Sequence, residues 1–119
     1  MCIRDSNKRI RVSKRKKINE CLIASSGNDI NIINEKIKDK VTIRNSGSAA
    51  LDMAYVASGR YDAYLQKKVS LWDIAAGIVI VKESGGIVNQ IDLLKNEHID
   101  IRAASIAINE KMLEKLKNF

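Results

Sequence analysis

With 119 residues, the chain has room for one domain with a real core, and because 45% of the residues are apolar but only 4% aromatic, that core must be aliphatic. The longest apolar run, Ile74 to Val81, falls far short of the ~20 residues of a membrane span, and the basic N-terminus has no apolar segment behind it as a signal peptide would. The net charge of +7 is concentrated at one end: residues 1–20 hold eight Lys/Arg against two Asp/Glu, and the rest hold thirteen against twelve.

In chain order, "MCIRDS" has no periodicity and no turn logic joining it to the next segment, so residues 1–7 read as a leader of doubtful origin and residues 8–119 as the α/β domain. "KRIRVS" alternates apolar and basic residues, the period of a strand with one apolar face. No aromatic is interleaved there for base stacking, so a solvated basic strand is favoured over a nucleic-acid arm. "ECLIASS" reads as a second strand, closed by Gly27. "NDINIINEKIKD" places Ile30, Ile33 and Ile37 at helical spacing behind Asn28 or Asp29 as cap. "VTIRN" is a short strand, and "SGSAALDMAYVASG" a helix rich in small residues that Gly59 stops. "YDAYLQ" is a strand, followed by the helix "WDIAAGIVIVKESGG" with Gly85 and Gly86 at its end. "IVNQI" and "IRAASIAI" read as strands, and "NEKMLEKLKN" as a final amphipathic helix capped by Asn109. Strands alternating with helices predict a layered α/β structure.

Cys2 and Cys21 lack metal-ligand spacing and the lone His98 sits in a polar stretch, so the sequence points away from zinc and towards a reduced, cytoplasmic protein. Two helix starts carry possible chemistry. At the first, Gly47, Ser48 and Ala49 are small enough to leave helix amides open to a phosphate, although the same residues also serve close helix packing. At the second stands Asp73, the only carboxylate between Asp62 and Glu83. It can cap the helix or offer an oxygen to a hard cation such as Mg²⁺. Ser70 is an alternative cap three residues earlier, and Trp72 supplies a bulky wall that limits water.

"WDIAAGIVIVKESGG" resembles the C-terminal signature of the inositol monophosphatase family, in which Trp-Asp opens a helix ending in Gly-Gly. "IRNSGSAALDMAYVASGRYDAY" and "RIRVSKRKKINECLIASSG" resemble the segments before it, so the likeness runs from about Lys8 to about Asn118. It implies the C-terminal half of the layered α/β sandwich of the inositol monophosphatase and sugar phosphatase type. It also implies Mg²⁺ as cofactor, Asp73 as the metal ligand of this half, and substrate contacts at Gly47, Ser48, Ala49, Gln66 and Asp73. Gln66 stands where inositol phosphatases of the family place a glutamate, which puts inositol specificity in question.

Family members are about twice as long, and their N-terminal half carries a metal-binding glutamate and an Asp-Pro-x-Asp-Gly motif. This chain has no proline. The implied reading is therefore a fragment of a phosphate monoesterase that acts on inositol monophosphate or a related sugar phosphate. The fragment carries no catalytic residue of its own, is inactive in isolation and is partnered by the N-terminal half of the same protein. A homodimer is implied by analogy, and neither a membrane nor nucleic acid is an expected partner. The alternative is a nucleic-acid-binding or non-catalytic regulatory module led by the basic N-terminal strand.

Overall fold

A computed structural model of the chain describes residues 4–5, 8–17, 21–25, 30–31, 33, 42–45, 47–91 and 99–115. His98, Cys2 and most of the expected helix around Ile37 lie outside these residues. Of that helix, residues 30, 31 and 33 are helical, and Ile33 is buried.

The strands are β1 (Arg4–Asp5), β2 (Lys8–Arg9), β3 (Leu22–Ala24), β4 (Thr42–Arg44), β5 (Ala63–Val69), β6 (Gly86–Val88) and β7 (Ile99–Ser105). The helices are α1 (Ala49–Ala57), α2 (Leu71–Glu83) and α3 (Ile106–Lys115). β1 and β2 pair antiparallel as a small two-stranded sheet. The other five strands form one mixed sheet in the order β4-β3-β5-β7-β6. β3 runs parallel to both β4 and β5, whereas β7 pairs antiparallel with β5 and β6. This is the expected α/β layer architecture.

Side chains alternate across a strand, and the two faces of the sheet accordingly build two cores. Ala24, Tyr64, Ile101 and Ala103 join Met53, Val56, Ile74 and Val81 of α1 and α2 in one cluster. Ile23, Ala63, Leu65 and Ala104 join Ile33 and Ile108 in the other. The aliphatic core expected from the shortage of aromatics is what forms; Tyr64 is the single fully buried aromatic among the described residues.

α1 and α2 lie against each other through a glycine. A Cβ on Gly77 would stand 2.6 Å from Sδ and 2.8 Å from Cβ of Met53. The sulfur could swing away, but the Met53 Cβ is fixed to the backbone. Gly77→Ala is therefore expected to lower stability by about 1–3 kcal/mol through overpacking, although alanine is the better helix former. Urea unfolding checks this, and an unchanged or raised midpoint would show that the helices can part at no cost.

Two boundaries differ from expectation. The alternation in "KRIRVS" does not produce a long strand: only Lys8–Arg9 pairs, and the extended chain beyond it is fixed by single contacts such as Val12 N–H to the Ser84 carbonyl at 3.1 Å. This segment passes over Gly59, whose added Cβ would be 3.0 Å from the Arg11 carbonyl, so a glycine is needed for the close approach as well as for its φ of +82°. The final helix begins at Ile106, not after a cap at Asn109; Asn109 is buried within its first turn. The apolar run "SIAI" suits a strand or a buried helix equally, and the helix takes it because Ile108 packs under the sheet.

Candidate functional site

β3, β4 and β5 are parallel, so their carboxyl ends lie at one edge of the sheet. Ligands of open α/β sheets bind outside such ends. Both α1 and α2 begin there, one after β4 and the other after β5. Between them is a cavity of about 680 Å³ lined by residues 47–50, Asp52, Gln66, Lys68, Val69, Ser70, Trp72 and Asp73. Gly47, Ser48, Ala49, Gln66 and Asp73, singled out from three separate stretches of sequence, thus line a single cavity.

At the start of α1, Ser48 is the N-cap and its side chain accepts from Leu51 N–H at 3.2 Å. The Gly47 amide, expected to be open, donates instead to Asn45 Oδ1 at 3.1 Å. The Asn45 side chain closes a short turn on it. Asp52 N–H makes the first intrahelical bond, to the Ser48 carbonyl. That leaves the amides of Ala49 and Ala50 as the first-turn donors without an intrahelical partner. The anion-facing backbone thus lies two to three residues beyond the glycine, and of the expected Gly47, Ser48 and Ala49 it keeps Ala49.

At the start of α2, the cap is Ser70, whose Oγ accepts from Trp72 N–H at 3.3 Å. Asp73 is therefore not the cap. It sits in the first helical turn, exposed, with its own N–H bonded to the Ser70 carbonyl. Its carboxylate is left for the positive end of the helix and for the cavity. Trp72 lines the cavity but is 84% exposed, so the expected water-limiting wall is bare among the described residues.

The floor comes from β5. Tyr64 Oη donates to Gln66 Oε1 at 2.5 Å, which engages one lone pair of the amide oxygen and orients the amide, whose NH₂ is the donor Gln66 can offer a ligand. Past Gln66 the pairing of β5 with β7 shifts register by a bulge. Within it Lys68 takes φ +57°, the single non-glycine positive φ among the described residues. That conformation costs a residue with a Cβ about 1–2 kcal/mol. The bulge is tied by Lys68 N–H to Asp100 Oδ1 at 3.2 Å.

Two charged lining residues, Asp52 and Lys68, were not marked by the sequence. Asp52 is buried on the cavity wall; its place four residues after Ser48, in the first turn of an anticipated helix, was the available signal. Lys68 gave none, since a lysine does not announce a left-handed dihedral.

The residues present fit a metal only in part. Asp73 offers a carboxylate to the cavity, but no group of three or more His, Cys, Asp or Glu able to hold an ion occurs among the described residues. A hard divalent cation takes six or more oxygen ligands, so this wall alone would not retain one.

The fold and the cavity define a mixed α/β protein with two helix starts meeting at the carboxyl edge of a sheet. The sequence profile of the inositol monophosphatase family matches residues 2–118, and the chain belongs to that family. It is 29% identical over 126 residues to an inositol-1-monophosphatase from Caulobacter vibrioides, covering 94% of this chain and 48% of that protein. It is 44% identical over 87 residues to a fructose-1,6-bisphosphatase/inositol-1-monophosphatase from Thermotoga maritima, covering 70% of this chain and 34% of that protein. The crystal structure of extragenic suppressor protein suhB from Bartonella henselae superposes with a TM-score of 0.79 at 35% identity, over 94% of this chain and 48% of that one. The chain thus spans about half the length of these relatives, or less.

Proposed function

We propose that this chain supplies one wall of the active site of a Mg²⁺-dependent phosphate monoesterase that acts on an inositol monophosphate or a related sugar phosphate. The observation that supports it is the meeting of Asp73, Gln66 and the α1 start around one cavity. In this reading the Ala49 and Ala50 amides, at the positive end of α1, bind phosphoryl oxygens. Gln66 orients the polyol through its NH₂ group. Asp73 offers one metal ligand, and the remaining ligands come from the N-terminal half that the relatives' greater length accommodates. When bound, magnesium stabilises the charge that builds on the phosphoryl oxygens and on the leaving alkoxide. A cytoplasmic, dimeric protein belongs to the same proposal by family analogy.

The test is phosphate release from inositol 1-phosphate. The 119-residue chain alone is expected to show none above background, whereas the chain joined in frame to the N-terminal half of the Thermotoga maritima relative releases phosphate only with Mg²⁺. Chelator-sensitive release by the chain alone would contradict the division of ligands.

A second reading is a non-catalytic role. Several relatives are named Nus factor SuhB, among them one from Pseudomonas aeruginosa, 35% identical over 109 residues. Arg11, Lys14 and Lys16 line a second cavity, of about 520 Å³. Binding of an RNA oligonucleotide that weakens steeply with added salt would support this reading, and no binding at low salt would remove it.

A further inference from the structure

We propose that Lys68 is a specificity-determining residue of the cavity, and that it reads a second anionic group on the substrate, a phosphate on a carbon away from the ester that is hydrolysed. This rests on the phosphatase reading of the same cavity. Three observations carry it.

The first is the backbone. Lys68 holds a φ of +57° where glycine or asparagine would sit at less cost. The bulge explains the dihedral, and the bond from Lys68 N–H to Asp100 explains how it is held. Neither uses the lysine side chain. A residue kept in a strained conformation at a site points to a role for what it carries there, in this case a flexible ammonium.

The second is charge. Among the described residues lining the cavity, Lys68 is the single cation; the other charged ones are Asp52 and Asp73. Asp73 lies at the start of α2, while Lys68 lies two residues beyond Gln66 at the end of β5. The cation therefore marks a subsite on the strand side of the cavity, apart from the helix start that faces the scissile phosphate.

The third is polarity. Gln66 is neutral, its oxygen accepts from Tyr64 Oη, and its NH₂ can donate. A donor beside an ammonium can serve a hydroxyl, which also accepts, but the charge-assisted contact favours an anion. The cavity, at about 680 Å³, is large enough for a six-carbon sugar with two phosphates.

The chain has one tryptophan, Trp72, and it lines this cavity, so its fluorescence reports occupancy directly. The experiment titrates fructose 1,6-bisphosphate and fructose 6-phosphate into the 119-residue chain in magnesium-containing buffer, for wild type, Lys68→Asn and Lys68→Arg. Asparagine tolerates the left-handed dihedral, so the fold is not at stake, and a circular dichroism spectrum verifies this. Wild type is expected to bind the bisphosphate about fivefold tighter than the monophosphate, the scale of one exposed ion pair. Lys68→Asn should bring the two sugars to equal affinity, and Lys68→Arg should keep the gap. A gap that survives in Lys68→Asn, or a wild-type chain that fails to prefer the bisphosphate, overturns the proposal. Failure of the phosphatase reading shows up separately, as an intact affinity gap in a joined protein that releases no phosphate.

Discussion

Replacing Arg15 with methionine is expected to destabilise the chain by about 3 kcal/mol, the low end of the loss when the partner of a buried charge is removed. Asp62 is fully buried at the entry to β5, and Arg15 Nε donates to both of its carboxylate oxygens at 3.0 Å. The low end applies because the Arg15 side chain is 39% exposed and water screens the pair. Asp62 is also a mechanical junction. Its Oδ2 accepts from Leu22 N–H at 2.8 Å, its own N–H donates to the Leu22 carbonyl, and its carbonyl accepts from Ser105 N–H. Arg15 Nη2 reaches the Gly59 carbonyl at 2.8 Å. One ion pair thus joins the extended N-terminal segment, the end of α1, and strands β3, β5 and β7. Domains of this size are held by only about 5–15 kcal/mol, so the loss should move the urea midpoint plainly. Adding Asp62→Asn to Arg15→Met should recover part of it, because an amide still accepts from Leu22 and strands no charge. Urea unfolding of the four proteins of this cycle is the check; strictly additive losses would show that the pair is not coupled.

The second large effect concerns Asp73. In the joined protein, Asp73→Asn is expected to cut turnover by at least about 100-fold, since even groups that merely orient metal ligands are worth 10–100-fold. A neutral amide is a poor ligand for a hard cation. The same change should leave stability almost untouched, because Ser70 caps α2 and Asp73 is exposed. The expected cost is only the interaction of a charge with the helix start, about 0.3–1 kcal/mol. Ser70→Ala should behave in the opposite way, losing about 1 kcal/mol of stability through the cap. Turnover and thermal unfolding measured on the same samples separate the two roles. Wild-type turnover in the Asn variant would make Asp73 a surface carboxylate and nothing more.

Patterns local in sequence were readable in advance. Small residues after "VTIRN" and the Trp-Asp pair before an apolar run placed two helix starts, and both occur where expected. What could not be read depends on contacts distant along the chain. Arg15 and Asp62 are 47 residues apart, and nothing near either announces the pair. Ser70 and Asp73 are both competent caps by type, and only the backbone bonds decide between them. The alternation of Arg9, Ile10, Arg11 and Val12 describes a half-buried extended segment, but a strand also needs a neighbour to pair with, and here pairing stops at Arg9. Lys68 is the clearest case. Its dihedral comes from a bulge between two strands, and bulges are set by register, which the sequence of one strand does not contain.

In the proposed function a divalent cation meets this chain at Asp73, on the wall shared with Gln66 and the α1 start. The most direct measurement is paramagnetic broadening of amide resonances by Mn²⁺, titrated at trace levels into the ¹⁵N-labelled chain, because broadening detects weak binding by an incomplete set of ligands. The account predicts that Asp73 and its neighbours broaden first, then Ala49, Ala50 and Gln66 across the cavity, while residues around Arg15 and Asp62 stay sharp, and that the pattern vanishes in Asp73→Asn. Broadening centred on other carboxylates, or a pattern that persists unchanged in Asp73→Asn, would contradict it.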